Sequence, residues 1–333
     1  MDDYRQQGVF PGYSVAFIEE GQVYQEIVGL KQVYPTPKKL TDSLYYDLAS
    51  LTKVFVTTTL AALLVEKGLL DVEIPIQHYF PNVQSTKITV RHLLTHTSGL
   101  EGYIENKNQL PAKELVEAIA GLPVQEHFNT PKYTDTSFVL LGMIIQQITG
   151  KSVADLFDEW IREPLQLEEM SYGPLEPEKC VPTQEINGVY LQGVVHDPKA
   201  RILQRECGSA GLFGTLDAVV NYVQILMNAE QELLLQQKTI ESWQHDWTPN
   251  KLGKWSFGWM MDTYKEEIWL RHTGFTGTLV MWNLRTKQAL VFLSNRIHTF
   301  SDTKQYNVYR DDIIKTYIAE AYERKKQNEH KNM

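Results

Sequence analysis

Apolar and polar positions alternate near both ends of the chain and recur at helical spacing between them. Residues 14–18 (Ser-Val-Ala-Phe-Ile) and 22–28 (Gln-Val-Tyr-Gln-Glu-Ile-Val) predict two strands. Glu19-Glu20-Gly21 separates them, which reads as a hairpin. A loop rich in Pro35, Thr36 and Pro37 follows. From Ser50 an almost unbroken apolar run extends to Gly68 and predicts a buried helix. Gly68 is a good stop, because glycine tolerates the left-handed conformation after a last turn. Helical texture continues to about residue 235, through residues 89–96, Ala112–Ala120, 137–148, 153–161 and Leu216–Met227. After residue 252 the segments 255–261, 268–272, 278–283 and Gln288–Ser294 are short and β-rich, punctuated by Gly253, Gly258, Gly274 and Gly277. Residues 306–325 predict a closing amphipathic helix, with Val308, Ile313, Ile314, Tyr317, Ile318 and Tyr322 on its apolar side. Strands at both ends around a helical middle predict an α/β (α+β) fold with one antiparallel sheet. We expect a single domain over 1–333, with residues 1–49 and 236–333 as a sheet layer and 50–235 as a helical layer. A cleft between the layers is the natural site.

Composition narrows the classes. With 333 residues and 43% apolar content, the chain can bury a large core. Its formal net charge of -9, from 41 acidic and 32 basic residues, argues against nucleic acid and anionic membrane surfaces as partners. The basic run Arg324-Lys325-Lys326 is short, mixed with Glu323 and Glu329, and reads as a solvated helix end. No apolar run approaches the roughly 18 residues of a membrane span. The N-terminus, Met1-Asp-Asp-Tyr-Arg5, lacks the features of a signal peptide, so a cytoplasmic protein is expected, or an extracellular one if a leader or anchor was removed. Cys180 and Cys207 lie far apart without a Cys-x-x-Cys pattern and read as free thiols. No cofactor or metal is expected.

Candidate chemistry begins at Ser50-Leu51-Thr52-Lys53, at the mouth of the buried helix. Residues three apart share a helix face, so the hydroxyl and the amine can meet. A serine is a poor nucleophile until a neighbour takes its proton, and a desolvated lysine can do so. The apolar flanks predict a partly buried Lys53 with a lowered pKa. A second copy, Ser301-Asp-Thr-Lys304, lies in a polar stretch with no helix to align it. Tyr133-Thr134-Asp135 stands directly before the apolar run 136–145, a polar turn that would hold a phenol at a cleft edge. The same pattern recurs at Tyr45-Tyr46-Asp47 and Tyr309-Arg310-Asp311. His272-Thr273-Gly274 ends a strand-like segment. On an edge strand, a small Thr-Gly pair lets a substrate backbone lie alongside. The side chain before it can reach a carboxylate or carbonyl. Other patterns read as structural. His92 and His96 are spaced i, i+4 but lack the glutamate of His-Glu-x-x-His. Ser209 has Cys207 where a nucleophile elbow needs glycine. His196-Asp197 pins a turn ahead of Pro198. The seven tryptophans read as core or cleft wall.

Taken in order, Ser50-x-x-Lys53, Tyr133-x-Asp135 and His272-Thr-Gly274 resemble the serine hydrolase superfamily of class C β-lactamases, penicillin-binding proteins (DD-peptidases) and family VIII esterases. The segments Phe10-Pro-Gly-Tyr-Ser-Val-Ala16, Asp47-Leu-Ala-Ser-Leu-Thr-Lys53 and Ile88-Thr-Val-Arg-His-Leu-Leu-Thr-His-Thr-Ser-Gly-Leu100 are similar too. So are Gly193-Val-Val-His-Asp-Pro198, Ser209-Ala-Gly-Leu-Phe-Gly-Thr215 and Phe292-Leu-Ser-Asn-Arg-Ile-His298. The resemblance covers nearly the whole chain and implies a β-lactamase/transpeptidase-like fold. It implies Ser50 as nucleophile, Lys53 as its proton acceptor and Tyr133 as shuttle to the leaving group. Asp135, His272, Thr273, Gly274 and Phe275 would bind substrate. The backbone N–H groups of Ser50 and Phe275 would form an oxyanion hole.

Two departures from the family matter. Asp135 replaces the usual asparagine, and an ionised carboxylate cannot donate to an acyl side-chain carbonyl. His272 replaces the usual lysine and is only partly charged near pH 7, which weakens the grip on a substrate carboxylate. Both favour an enzyme that forms an acyl-enzyme on a small ester or D-alanyl-type amide. The alternatives are a true β-lactamase and a non-catalytic module that binds peptidoglycan fragments. The intact Ser50, Lys53 and Tyr133 set argues against the latter.

Overall fold

The computed structural model describes residues 1–251, 253, 255–299 and 302–331, with 329–331 as backbone only. Strands β1 (Gly12–Glu19) and β2 (Gln22–Gln32) form the expected hairpin. Glu20 and Gly21 both take positive φ, 50° and 77°, the pair a tight two-residue hairpin turn requires. A short β3 (Lys38–Lys39) follows on the edge. From the other end of the chain come β4 (Met260–Tyr264), β5 (Glu267–Thr273), β6 (Leu279–Asn283) and β7 (Gln288–Ser294). The sheet order is β3-β2-β1-β7-β6-β5-β4, and every pairing is antiparallel. The two chain ends therefore meet at β1 and β7, where Val15 opposes Phe292.

Period-two alternation sends successive side chains to opposite faces. Tyr13 and Val15 of β1 join Leu290 and Phe292 of β7 in one apolar cluster, while Ala16 and Ile18 join Ala289 and Val291 in the other. The second face packs on helices. These include α1 (Thr59–Glu66), continuous with a π-helical turn over Lys53–Thr58, then α2 (Val90–Leu94), α3 (Asp135–Thr149) and α4 (Leu216–Met227). Gly68 takes φ 67° just past α1, as its position predicts. The first face is covered by α5 (Thr303–Lys331) through Tyr306, Ile313, Ile314, Tyr317, Ile318 and Ala321. Among the described residues, no single helix is long and apolar enough to cross a membrane.

Four local expectations need correcting. Val308 is 66% exposed, and Tyr306 takes the inward place on the first turn of α5, two residues and therefore just over a half-turn away. The strand expected at 255–261 starts only at Met260, because Gly258 turns at φ 68° where a Cβ would lie 2.2 Å from Thr58 Oγ1. Asp197-Pro198 opens a helix instead of pinning a turn. Asp197 accepts from the Ala200 amide at 3.0 Å and caps Pro198–Leu203, with proline at a position where its missing N–H is harmless. A three-stranded sheet of Tyr46–Asp47, Leu212–Gly214 and Met170–Tyr172 was not foreseen, since its strands are too short to show a period. The second Ser-x-x-Lys copy begins at Ser301, outside the described residues.

Candidate active site

Ser50 sits on a turn braced from below. Ala49, before it, is held at φ 47°, an uncommon conformation for a residue with a Cβ. The Ala49 amide donates to Asp47 Oδ1 at 2.9 Å, and the His196 amide donates to Asp47 Oδ2 at 2.7 Å. Burial raises the Asp47 carboxyl to about 6, against the pull of those two amides. Thr52 donates its hydroxyl to Ala49 O and accepts from the Leu212 amide, which ties the turn to the small sheet.

Lys53 lies one turn on and is fully buried. Its ammonium donates to Ser50 Oγ at 2.8 Å, to Asp135 Oδ1 at 2.8 Å and to Ser209 O at 2.9 Å, which uses all three of its protons. The expected lowered pKa is overturned here. Burial does pull it down, but the Asp135 carboxylate and the Tyr133 phenol outweigh burial and leave it raised. Apolar flanks announce burial; they do not announce a carboxylate from another helix.

Asp135 is the first residue of α3, and its two oxygens serve two cations. Oδ2 meets Lys199 Nζ at 3.2 Å, and Lys199 also meets Asp197 at 2.9 Å. Burial would raise the Asp135 pKa, yet Lys53 and Lys199 hold it well below the usual carboxylate range. Sequence reasoning missed Lys199, a lone lysine in a helical turn whose partner is set only by the fold.

Tyr133 precedes Thr134, which caps α3 by accepting from the Thr136 amide. The phenol is within hydrogen-bonding reach of Ser50 and Lys53, and the Lys53 ammonium lies 5.2 Å from its ring centre. Tyr133 is 46% exposed at the cleft, yet desolvation where its hydroxyl meets Ser50 and Lys53 raises the phenol pKa, while the Lys53 cation opposes the rise. The helix-end histidines flank this region. His92 accepts from the Thr89 amide in a capping box and reaches Asn129 through Nε2. His96 packs against the Tyr133 ring.

Across the cleft, His272 is buried and its Nδ1 bonds Thr273 O at 3.0 Å. Burial, then the nearby Lys53 charge, push its pKa well below the ordinary value, so it is neutral and not partly charged. Its strand is not the sheet edge either. β4 pairs with β5 only as far as Arg271, however, so His272 and Thr273 lie beyond the reach of the edge strand. Gly274 is dictated by space: a Cβ would lie 2.1 Å from Thr278 Oγ1 and 2.8 Å from Leu48 O. That contact brings Phe275 beside the Ser50 turn. Among the described residues, the amides of Ser50 and Phe275 donate to no protein acceptor.

Ser50, Tyr133, His272, Thr273, Gly274 and Phe275 line one cleft of about 440 Å³. Lys53 and Asp135 do not line this cleft: Lys53 stands behind Ser50, and Asp135, expected to bind substrate, lines a neighbouring hollow of about 210 Å³ with Lys199. Arg296, Tyr306 and Arg310 line the Ser50 cleft on its far side. The Arg296 guanidinium is stacked between the rings of Phe275 (4.7 Å) and Tyr306 (4.5 Å). Sequence reasoning assigned neither arginine a role, and no local pattern marks them. A larger hollow of about 700 Å³ around Tyr79, Phe80 and Met143 lies apart from this chemistry.

The sequence profile of the Beta-lactamase family matches residues 1–313. The chain belongs to the β-lactamase family. It is a serine hydrolase of the β-lactamase, DD-peptidase and amidase type. It is 26% identical to N-acetylmuramyl-L-alanine amidase of Bacillus subtilis (strain 168), over 92% of this chain and 82% of the relative. It is also 26% identical to a putative D-alanyl-D-alanine carboxypeptidase of Escherichia coli (strain K12), over 90% of this chain and 82% of that protein. The crystal structure of D-amino acid amidase from Ochrobactrum anthropi SV3 shares the β-lactamase-family fold, with a TM-score of 0.72 and 20% identity over 96% of this chain and 97% of that one.

Proposed function

We propose that this β-lactamase-family protein forms an acyl-enzyme on Ser50 and hydrolyses a small ester or a D-alanyl-type peptide amide. One observation carries the reading: a hydroxyl, an ammonium, a phenol and two undonated amides, far apart in the chain, converge on one cleft. Ser50 Oγ attacks the substrate carbonyl carbon, and the carbonyl electrons move to its oxygen, which the Ser50 and Phe275 amides receive. The Ser50 proton passes to the Tyr133 oxygen as the Tyr133 proton passes to the leaving nitrogen or oxygen, and the oxyanion electrons re-form the carbonyl as the bond from the acyl carbon to that atom breaks. In the second step water attacks the acyl carbon and gives its proton to Tyr133, which returns its own to Ser50 Oγ as the acyl–Oγ bond breaks and the acid leaves. Lys53 is already an ammonium and has no free pair to accept a proton. We assign it to stabilising negative charge on Ser50 and Tyr133, in place of the proton-acceptor role that the resemblance implies. Asp135 holds that charge in place.

Two features favour a peptide amide or ester over a β-lactam. Both Asp135 oxygens are engaged by lysines, so no amide donor stands where a β-lactam side chain would look for one. Arg296 and Arg310 line the cleft and suit a substrate that ends in a carboxylate. The names of the amidase and carboxypeptidase relatives agree with a peptide-type substrate. The test is to incubate the protein with esters, D-Ala-D-Ala peptides and penicillin, then map adducts by intact mass and peptide mass spectrometry. We expect modification of Ser50 only, and at least a ~10³-fold loss of p-nitrophenyl acetate hydrolysis in Ser50→Ala. Full activity in that variant would remove Ser50 as the nucleophile.

A further inference from the structure

We propose that His96 is a positioning residue that sets the angle of Tyr133 by gripping the chain on either side of it. The inference rests on Tyr133 being the proton shuttle. His96 O accepts from the Lys132 amide at 2.9 Å, and His96 Nδ1 accepts from the Thr134 amide at 3.3 Å. These two residues flank Tyr133, so a single side chain and its own carbonyl bracket the phenol. The imidazole also lies 4.7 Å from the Tyr133 ring and is backed by Phe138 at 5.1 Å and Trp255 at 4.7 Å. It is 1% exposed.

Three further facts fit positioning better than core filling. His96 sits at φ 54°, a conformation unfavourable for a residue with a Cβ. Nδ1 is an acceptor, so the ring proton is on Nε2, where it is buried without a partner among the described residues. A buried unsatisfied N–H is destabilising, and a phenylalanine would fill the same aromatic nest without that cost. Burial, then the Lys53 charge, also lower the His96 pKa to about 3. The acceptor therefore stays in one tautomer across the working pH range. What histidine adds over phenylalanine is the acceptor aimed at the Thr134 amide.

The two parts of the grip can be removed separately. His96→Phe keeps the ring and deletes the acceptor. His96→Asn keeps an acceptor near Nδ1 and tolerates positive φ, but deletes the ring. The experiment measures kcat and KM for both variants, for Tyr133→Phe and for each double variant. In the Tyr133 background, we expect His96→Phe to lose about 10–100-fold in kcat with KM little changed, because a misplacement of about 1 Å costs on that order. His96→Asn should recover at least half of that loss on a logarithmic scale. In the Tyr133→Phe background both His96 losses should shrink to under about 3-fold, the non-additivity of coupled neighbours. Undiminished losses in that background, or a His96→Asn variant as impaired as His96→Phe, overturn the proposal. If His96→Phe does not fold, the His96→Asn cycle alone decides. Wild-type turnover in Tyr133→Phe would instead sink the shuttle role itself, and the two failures are thereby told apart.

Discussion

The two walls of the cleft handle charge in different ways. Behind Ser50, Lys53, Asp135, Lys199 and Asp197 form a chain of alternating sign, each cation matched by a carboxylate. Opposite, His272 is neutral, Arg271 pairs with Asp262 and Arg310 with Asp311, and the Arg296 guanidinium is stacked between Phe275 and Tyr306. Charge that is fully matched inside orients groups and resists reorganisation. Cations whose carboxylate partners lie at a cleft rim can exchange them for a ligand carboxylate. We propose that the helical wall serves the chemistry and the opposite wall receives the substrate.

The largest effect should come from unmatching the first wall. Asp135→Asn removes the carboxylate that outweighs the burial of Lys53. Burial then dominates, and the lysine pKa falls from its raised value. If the ammonium is what stabilises Ser50 and Tyr133, kcat/KM of the variant should fall about 10–100-fold, a loss comparable to losing a charge stabiliser. It should also fall further as pH rises, through a limb displaced toward neutrality that the wild type lacks there. A variant whose rate instead climbs with pH would make Lys53 a general base after all. The pH–rate profile of both proteins decides. A smaller effect follows from the second wall. Arg310→Ala should raise KM for a peptide ending in a carboxylate about tenfold relative to its neutral amide counterpart, the size of one charge-assisted hydrogen bond. An unchanged ratio would mean that the sheet wall does not select for charge.

The difference between the walls also explains what could be read in advance. The hairpin announced itself through Glu20-Gly21, and the buried helices through their spacing. Ser50, Lys53, Tyr133 and His272-Thr-Gly274 stood out because each lies at an element boundary with a turn or a glycine to mark it. Even Gly274 follows from space, once the Ser50 turn is known to pass beneath it. Lys199, Arg296 and Arg310 carry no such mark. Lys199 and Arg296 take their meaning from partners on other elements, and Arg310, paired with its neighbour Asp311, reaches the cleft only through the fold. The direction of the Lys53 shift was missed for the same reason: burial is written in neighbouring residues, a cross-chain carboxylate is not. Val308 failed differently, because an apolar residue on a helix need not belong to the packed stripe when Tyr306 and Ile313 already define it.

The smallest effect lies at the seam between the walls. Asp47 holds the Ser50 turn with its carboxylate and accepts the Thr276 hydroxyl of the sheet side through its main-chain oxygen. Its pKa of about 6 in the fold is raised, mainly by burial, above an unfolded value of about 3.9. The sign is the reverse of a salt-bridged aspartate. Between about pH 4 and 6 the unfolded chain has lost this proton and the folded one has kept it, so stability falls as pH rises, by up to about 3 kcal/mol above pH 6. Activity should move the other way. Only the carboxylate accepts fully from both the Ala49 and His196 amides, so the Ser50 turn tightens as the proton leaves. Among the described residues, the charged or titratable groups that face it are Asp197, Arg201 and Cys180, with His196 beside it through its amide; burial lowers the His196 pKa. The wild type should thus gain about 3-fold in kcat/KM through a limb centred near 6, roughly the worth of one neutral hydrogen bond. Asp47→Asn, with one carbonyl for two amides, should sit at the low level and show neither the kinetic limb nor the opposing slope in stability. A limb that survives near pH 6 in Asp47→Asn would belong to another group, and the seam would then be packing alone.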